Sequence, residues 1–180
     1  FSKLTELSSE AGADFIIYSY ADLPFINSKI TKKLIETHLE YKCEYTFADG
    51  YAYGFMPEVL DCGACRILSQ LSKTTQAVEG EKTVCRQSIF NLIKTDINSF
   101  EVETEISDED WRLLRFNFCC QNKDSFLQCC ELYKIRNSAE ENSNSLNLCD
   151  FDAEKLCEAA SKNHEVLKTV PGFYEIQISD

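Results

Sequence analysis

The chain has 180 residues, 44% hydrophobic and 12% aromatic, enough apolar material for one folded domain with a core and too much for wholesale disorder. Its 30 acidic residues outweigh 18 basic ones for a net charge of −12, which repels a phosphate backbone or an anionic bilayer and excludes nucleic acid and membrane as expected partners. No apolar run approaches the ~18 residues of a membrane span.

The first residues, Phe1, Leu4, Leu7 and Ala11, form a helical stripe. Ala11-Gly12 leads into a strand over 14–20 that ends at Asp22, where Leu23-Pro24 turns the chain away. Asn27 or Ser28 caps a helix with Ile30, Leu34, Ile35 and Leu39 on one face. A short strand near 43–47 precedes the turn Ala48-Asp49-Gly50, and Tyr51 to Val59 reads as a strand or extended loop. Asp61 caps the next helix, with Ala64, Ile67, Leu68 and Leu71 inward, and the polar stretch 73–82 is expected at the surface. A helix from Thr83 turns Cys85, Ile89, Leu92 and Ile93 inward.

The strict alternation from Phe100 to Ile106 predicts a strand with one wet face. Trp111 to Phe118 predicts another, with Leu114, Phe116 and Phe118 on one side. Asp124 caps a helix carrying Phe126, Cys130 and Tyr133 inward. Polar residues over 137–150 read as a linker, which divides the chain into a domain over 1–136 and a tail over 151–180. In that tail Asp152 caps a helix with Ala153, Leu156, Cys157 and Ala160, and Pro171-Gly172 opens a strand bearing Tyr174, Ile176 and Ile178. Helices alternating with strands predict an α/β fold, a mixed and mostly parallel sheet flanked by helices.

In such a sheet ligands bind at the C-terminal edge of the strands. Asp22 closes a buried strand, Asp49 follows a short one, and Glu58 precedes a helix, so the three carboxylates are expected to converge on one cleft walled by Tyr51, Tyr53 and Phe55. Other constellations carry less. Cys62-Gly63-Ala64-Cys65 is a CxxC, open to a redox role or half a zinc site, but it reads more simply as small packing residues on a first helical turn. The run Glu101, Glu103, Glu105, Asp108, Glu109 and Asp110 reads as a solvated face. His38 and His164 have no motif around them, and each reads as a surface or satisfied core residue. The ten cysteines fall mostly on apolar stripes, which suggests reduced, buried thiols in a cytoplasmic protein. A chain that opens on Phe1 with Met56 as its single methionine, and that is structured to both ends, is read as a segment of a longer protein.

Taken in order, these pieces resemble the cytidylyltransferases of the spore-coat polysaccharide type, which have the nucleotide-sugar transferase (GT-A-like) fold. The family's Gly-Asp-x-Pro-Leu-Ile reads here as Ala21-Asp22-Leu23-Pro24-Phe25-Ile26, its Asp-Gly turn as Asp49-Gly50 and its Glu-Val pair as Glu58-Val59. Its Leu-Arg-Trp-Thr-Val-Asp strand reads as Leu114-Arg115-Phe116-Asn117-Phe118-Cys119. The resemblance implies a partial transferase-like domain, with Asp22 as a magnesium ligand, Asp49 and Glu58 as substrate-binding residues and a nucleotide or nucleotide sugar as partner. It departs from the family in two places. The Arg/Gly/Lys-rich nucleotide loop lies upstream of anything here, and Cys119 stands where the family has its second metal-binding Asp.

The tail from Thr169 to Asp180 resembles the lead-in to a radical SAM domain, as in the spirochaete radical SAM/SPASM (spiro-SPASM) family. That resemblance implies adjacent domains of a parent chain as partners, with an iron–sulfur cluster and S-adenosylmethionine as its cofactors and none in this segment. The expected function is a non-catalytic or vestigial accessory domain of such a protein. The alternative is part of an active cytidylyltransferase completed by a missing N-terminal region.

Overall fold

A computed structural model describes residues 1–79, 88–114, 116–139 and 152–163. Helix α1 (Ser2–Ala11) leads to strand β1 (Phe15–Tyr18), and helix α2 (Ser28–Tyr41) to strand β2 (Tyr45–Asp49). Strand β3 (Glu58–Asp61) runs directly into helix α3 (Cys62–Glu79). Helix α4 (Ser88–Ile93) and a 3-10 stretch (Lys94–Ser99) lead into strand β4 (Val102–Ile106). A 3-10 turn (Trp111–Leu114) and helices α5 (Lys123–Ala139) and α6 (Ala153–Lys162) follow.

Local chemistry explains the boundaries. Gly12, at φ 63°, takes the left-handed conformation that ends α1. Asn27 caps α2 by accepting the Ile30 N–H on its side-chain oxygen at 3.0 Å. Asp61 caps α3, accepting the Gly63 and Ala64 N–H groups at 2.6 and 3.1 Å. Asp152 caps α6 in the same way, through Glu154 and Lys155.

The four strands form one sheet in the order β1-β3-β2-β4. β3 is antiparallel to both β1 and β2, and only β2 and β4 are parallel. The expected mostly parallel sheet is therefore corrected to a mixed one with two antiparallel pairings of three. After β2 the chain makes a loop over 50–57 at the sheet's edge and re-enters from that same edge, so β3 must run backwards.

Among the described residues two apolar clusters form, one against the sheet and one built from loops and helices with no strand residue. One gathers Tyr45, Leu60, Ala64, Leu68, Ile89, Ile93 and Phe100 beneath α1, α3 and α4. The other gathers Phe25, Ile30, Phe55, Phe118, Cys129, Leu132, Leu156 and Ala160. Helix α6 belongs to this second core together with residues from before 136. The first residues of the expected linker, 137–139, belong to α5; the rest of the linker, the helix start at Thr83 and the final strand lie outside the described residues.

Several expected faces shift. On α1, Leu7 is 49% exposed and Ser8 is buried in its place. Small polar residues bring α1 onto α3, with Ser2 Oγ 2.9 Å from Ser69 Oγ and Thr5 Oγ1 3.4 Å from Cys65 Sγ. On α2, Leu39 is exposed and His38 is buried. Helix α5 is capped by Asn122, not Asp124: Asn122 accepts the Ser125 N–H, and Ser125 Oγ accepts the Asn122 N–H. That helix turns Cys129 and Leu132 inward and leaves Phe126 exposed.

The strand expected over Trp111 to Phe118 is a 3-10 turn followed by an isolated bridge between Asn117 and Tyr53. The apolar alternation there serves a chain lying along a core. Gly54 makes this approach possible: at φ 116°, a Cβ on it would sit 2.9 Å from the Phe118 backbone.

Candidate functional site

A cleft of about 830 Å³ opens where β1 and β2 end and β3 begins. Tyr18, Tyr20, Tyr45, Phe47, Tyr53 and Phe90 form its aromatic walls, and Gly54, Met56, Asn91, Lys94 and Gln121 complete the lining around Glu58. The rings brace one another. Tyr18 meets Tyr20 edge-on at 5.3 Å, Tyr45 stacks on Phe47 at 5.6 Å, and Phe47 meets Phe90 edge-on at 6.0 Å.

Glu58 is the acidic group of this lining, placed opposite Tyr18 by the β1–β3 register. Burial raises its carboxyl pKa, and a hydrogen bond from the Tyr45 hydroxyl partly opposes that rise. The same burial, with Glu58 beside it, pushes the Tyr45 hydroxyl far above its ordinary range. Oε2 of Glu58 is buried and has no hydrogen-bond partner among the described residues.

The three carboxylates picked out in the sequence do not all meet. Glu58 lines the cleft. Asp22 flanks it: Tyr20 and Leu23 on either side are lining residues, and the Asp22 carbonyl accepts the Cys120 N–H at 2.8 Å beside Gln121. Asp49 is absent from the lining. Both its carboxylate oxygens lie 3.0 Å from Arg112 Nη1, and Asp110 holds the other side of that guanidinium. Bonding to Arg112 lowers the Asp110 pKa and raises that of Arg112.

The expected aromatic wall divides as well. Tyr53 faces the cleft, whereas Tyr51 and Phe55 line a smaller cavity of about 250 Å³ with Trp111 and Cys157. The sequence reading missed Tyr18, Tyr20, Tyr45, Phe47 and Phe90. The spacing Tyr18-x-Tyr20 at a strand end could have indicated the first two, but nothing local marks Phe90, which α4 delivers.

The residues present do not fit a magnesium site. Cys119, in the position where the resemblance puts the second metal-binding Asp, is fully buried, and its thiol is a soft donor unsuited to a hard cation. Among the described residues no three His, Cys, Asp or Glu side chains converge to hold a metal. Cys62 and Cys65 of the CxxC are both buried, Cys65 against Thr5 of α1. The described cysteines are all free, and six of them are buried. Burial raises the Cys129 and Cys157 thiols to about 12. No described helix is long and apolar enough to cross a membrane.

No protein-family model matches the chain. Two uncharacterised proteins of Treponema pallidum (strain Nichols) are similar in part. One is 35% identical over 95 residues, covering 53% of this chain and 22% of its own length. The other is 38% identical over 72 residues, covering 40% of this chain and 32% of its own. The chain thus spans a third or less of each. Among solved structures, a cytidylyltransferase from Leptospira borgpetersenii serovar Hardjo-bovis (strain JB197) superposes with a TM-score of 0.69 at 15% identity. The superposition covers 96% of this chain and 66% of that one. With its mixed sheet and flanking helices, the chain therefore has a nucleotidyltransferase-like fold.

Proposed function

We propose that this chain is a nucleotidyltransferase-like domain that binds the sugar end of a nucleotide sugar, or the free sugar, in its aromatic cleft. The observation that carries the reading is the composition of the cleft at the open edge of the sheet: six aromatic rings, one carboxyl and one lysine. Flat apolar rings stack on a sugar's C–H faces, while Glu58, Asn91, Gln121 and the tyrosine hydroxyls suit its hydroxyl groups. A nucleoside triphosphate calls for several cations or a metal, and Lys94 is the one basic residue in the lining among the described residues. Asp22 and Gln121 stand at the rim, where they would orient the ligand. Asp49 acts through the fold, by pinning Arg112.

Saturation-transfer NMR with a cytidine monophosphate sugar, the free sugar and CTP tests this. The expected result is transfer to the sugar protons of both sugar ligands and none to CTP with magnesium. Tight CTP binding that is lost in Asp22→Ala would instead establish an active nucleotide site and overturn the reading.

A second reading follows from Cys119. A domain that has lost a hard-metal ligand suits an accessory role in a larger protein, and the resemblance of 169–180 offers a radical SAM/SPASM parent. The sequence of the full-length gene tests it: a CxxxCxxC directly after Asp180 supports that parent, and its absence removes it.

A further inference from the structure

We propose that the ligand held in the aromatic cleft carries a protonated amine, and so belongs to the amino-sugar class, with Glu58 Oε2 as the counter-ion. This rests on the reading of the cleft as a sugar site and names the substrate class more narrowly. Three features of the cleft lead to it.

The first is the incomplete bonding of Glu58. The Tyr45 hydroxyl lies beside its carboxyl, and Oε2 is buried without a hydrogen-bond partner among the described residues. A buried carboxylate is stable only when it is both hydrogen-bonded and compensated in charge. A neutral hydroxyl would supply the bond alone. An ammonium supplies the bond and the charge.

The second is the nature of the walls. Tyr18, Tyr20, Phe47 and Tyr53 enclose the approach to Glu58, and the negative faces of aromatic rings attract an organic cation. The third is the surrounding field. Lys94 shares the lining, but it is exposed to solvent, and what shifts Glu58 is burial and the Tyr45 hydroxyl, with no contribution from a cation. The chain's net charge of −12 raises the local concentration of cationic ligands and lowers that of anionic ones.

The test is calorimetric titration at neutral pH with glucosamine, galactosamine and mannosamine, their N-acetyl forms, and the parent hexoses. At least one free amino sugar should bind about tenfold or more tightly than its N-acetyl form and its parent hexose, a difference of ~1.4 kcal/mol. Glu58→Gln should erase that preference, bringing the free amino sugar down to the affinity of its N-acetyl form and its parent hexose. Tyr53→Leu, at a partly exposed wall position, should weaken all the sugars together, so the two variants separate charge recognition from stacking. Circular dichroism confirms that both variants are folded. Equal binding of amino, N-acetyl and parent sugars overturns the amine while the sugar site stands. Binding of none of the panel overturns both.

Discussion

Tyr45 and Thr46 are neighbours on β2 and point to opposite faces of the sheet, and the two faces treat buried polar groups differently. On one face Thr46 is fully buried and its Oγ1 lies 2.9 Å from His38 Nδ1, closing a pair between β2 and α2. On the other, the Tyr45 hydroxyl reaches Glu58, whose second oxygen remains without a partner among the described residues. Burial favours the neutral form of both titratable groups, lowering the His38 pKa and raising that of Glu58. A pair with its bonding complete holds the fold together. A pair with an acceptor left over beside a cleft is equipped for a ligand.

The largest effect should come from cutting into the closed face. Leu34→Ala, at a fully buried position on α2, should lower unfolding free energy by about 2–5 kcal/mol in urea titrations. Tyr53→Ala, at 44% exposure in the cleft, should change it by roughly 0.5 kcal/mol. Similar losses at both sites would break the distinction between a packed face and a binding face.

Next in size is Thr46→Val, which keeps the shape but leaves His38 Nδ1 without its partner, for a loss of about 1–3 kcal/mol. His38 adds a pH signature. Its folded pKa lies below the unfolded value of about 6.5, so the unfolded chain takes up more protons and stability falls as pH drops below that point. His38→Gln should flatten this slope between pH 7 and 5, as read from melting temperatures.

Glu58 should show the opposite sign. Its folded pKa is raised, so the folded state holds the extra proton above about pH 4.3, and this group's contribution is lost as pH rises through the folded value. Glu58→Gln should therefore gain stability relative to the parent chain as pH climbs from 4 to 7. A variant that loses stability over that range would mean Glu58 is a structural anchor like His38.

The smallest effect is expected at Asp49→Asn. Its partner Arg112 is exposed and is also held by Asp110, and such pairs contribute little. Melting temperature and sugar binding should both stay unchanged. Loss of binding would put Asp49 back into the site.

Much of this was legible along the chain. Caps at Asn27, Asp61 and Asp152 are local hydrogen-bonding devices, and residues within four positions determine them. The stripe Ile30, Leu34 was continued in the sequence to Leu39, which is exposed, and His38 gave no sign of burial until Thr46 came opposite. Asp22 was read as a carboxylate closing a strand because an apolar run that stops at an acid marks an edge, whereas Glu58 was read only as preceding a helix.

The direction of β3 was not legible, since a strand's residues alternate in the same way whichever way it runs. That direction puts Glu58 at the start of its strand and beside Tyr18, with its carboxyl facing a cleft rather than a helix. The meeting of Phe90, Tyr18 and Tyr53, and the separation of Asp49 from Glu58, depend on contacts between segments far apart in sequence. The amino-acid sequence by itself determined the α/β class and the caps at Asn27, Asp61 and Asp152. Only the tertiary structure decided which acid faces the cleft and which is bound to an arginine, because side chains distant along the chain acquire their surroundings when the sheet closes.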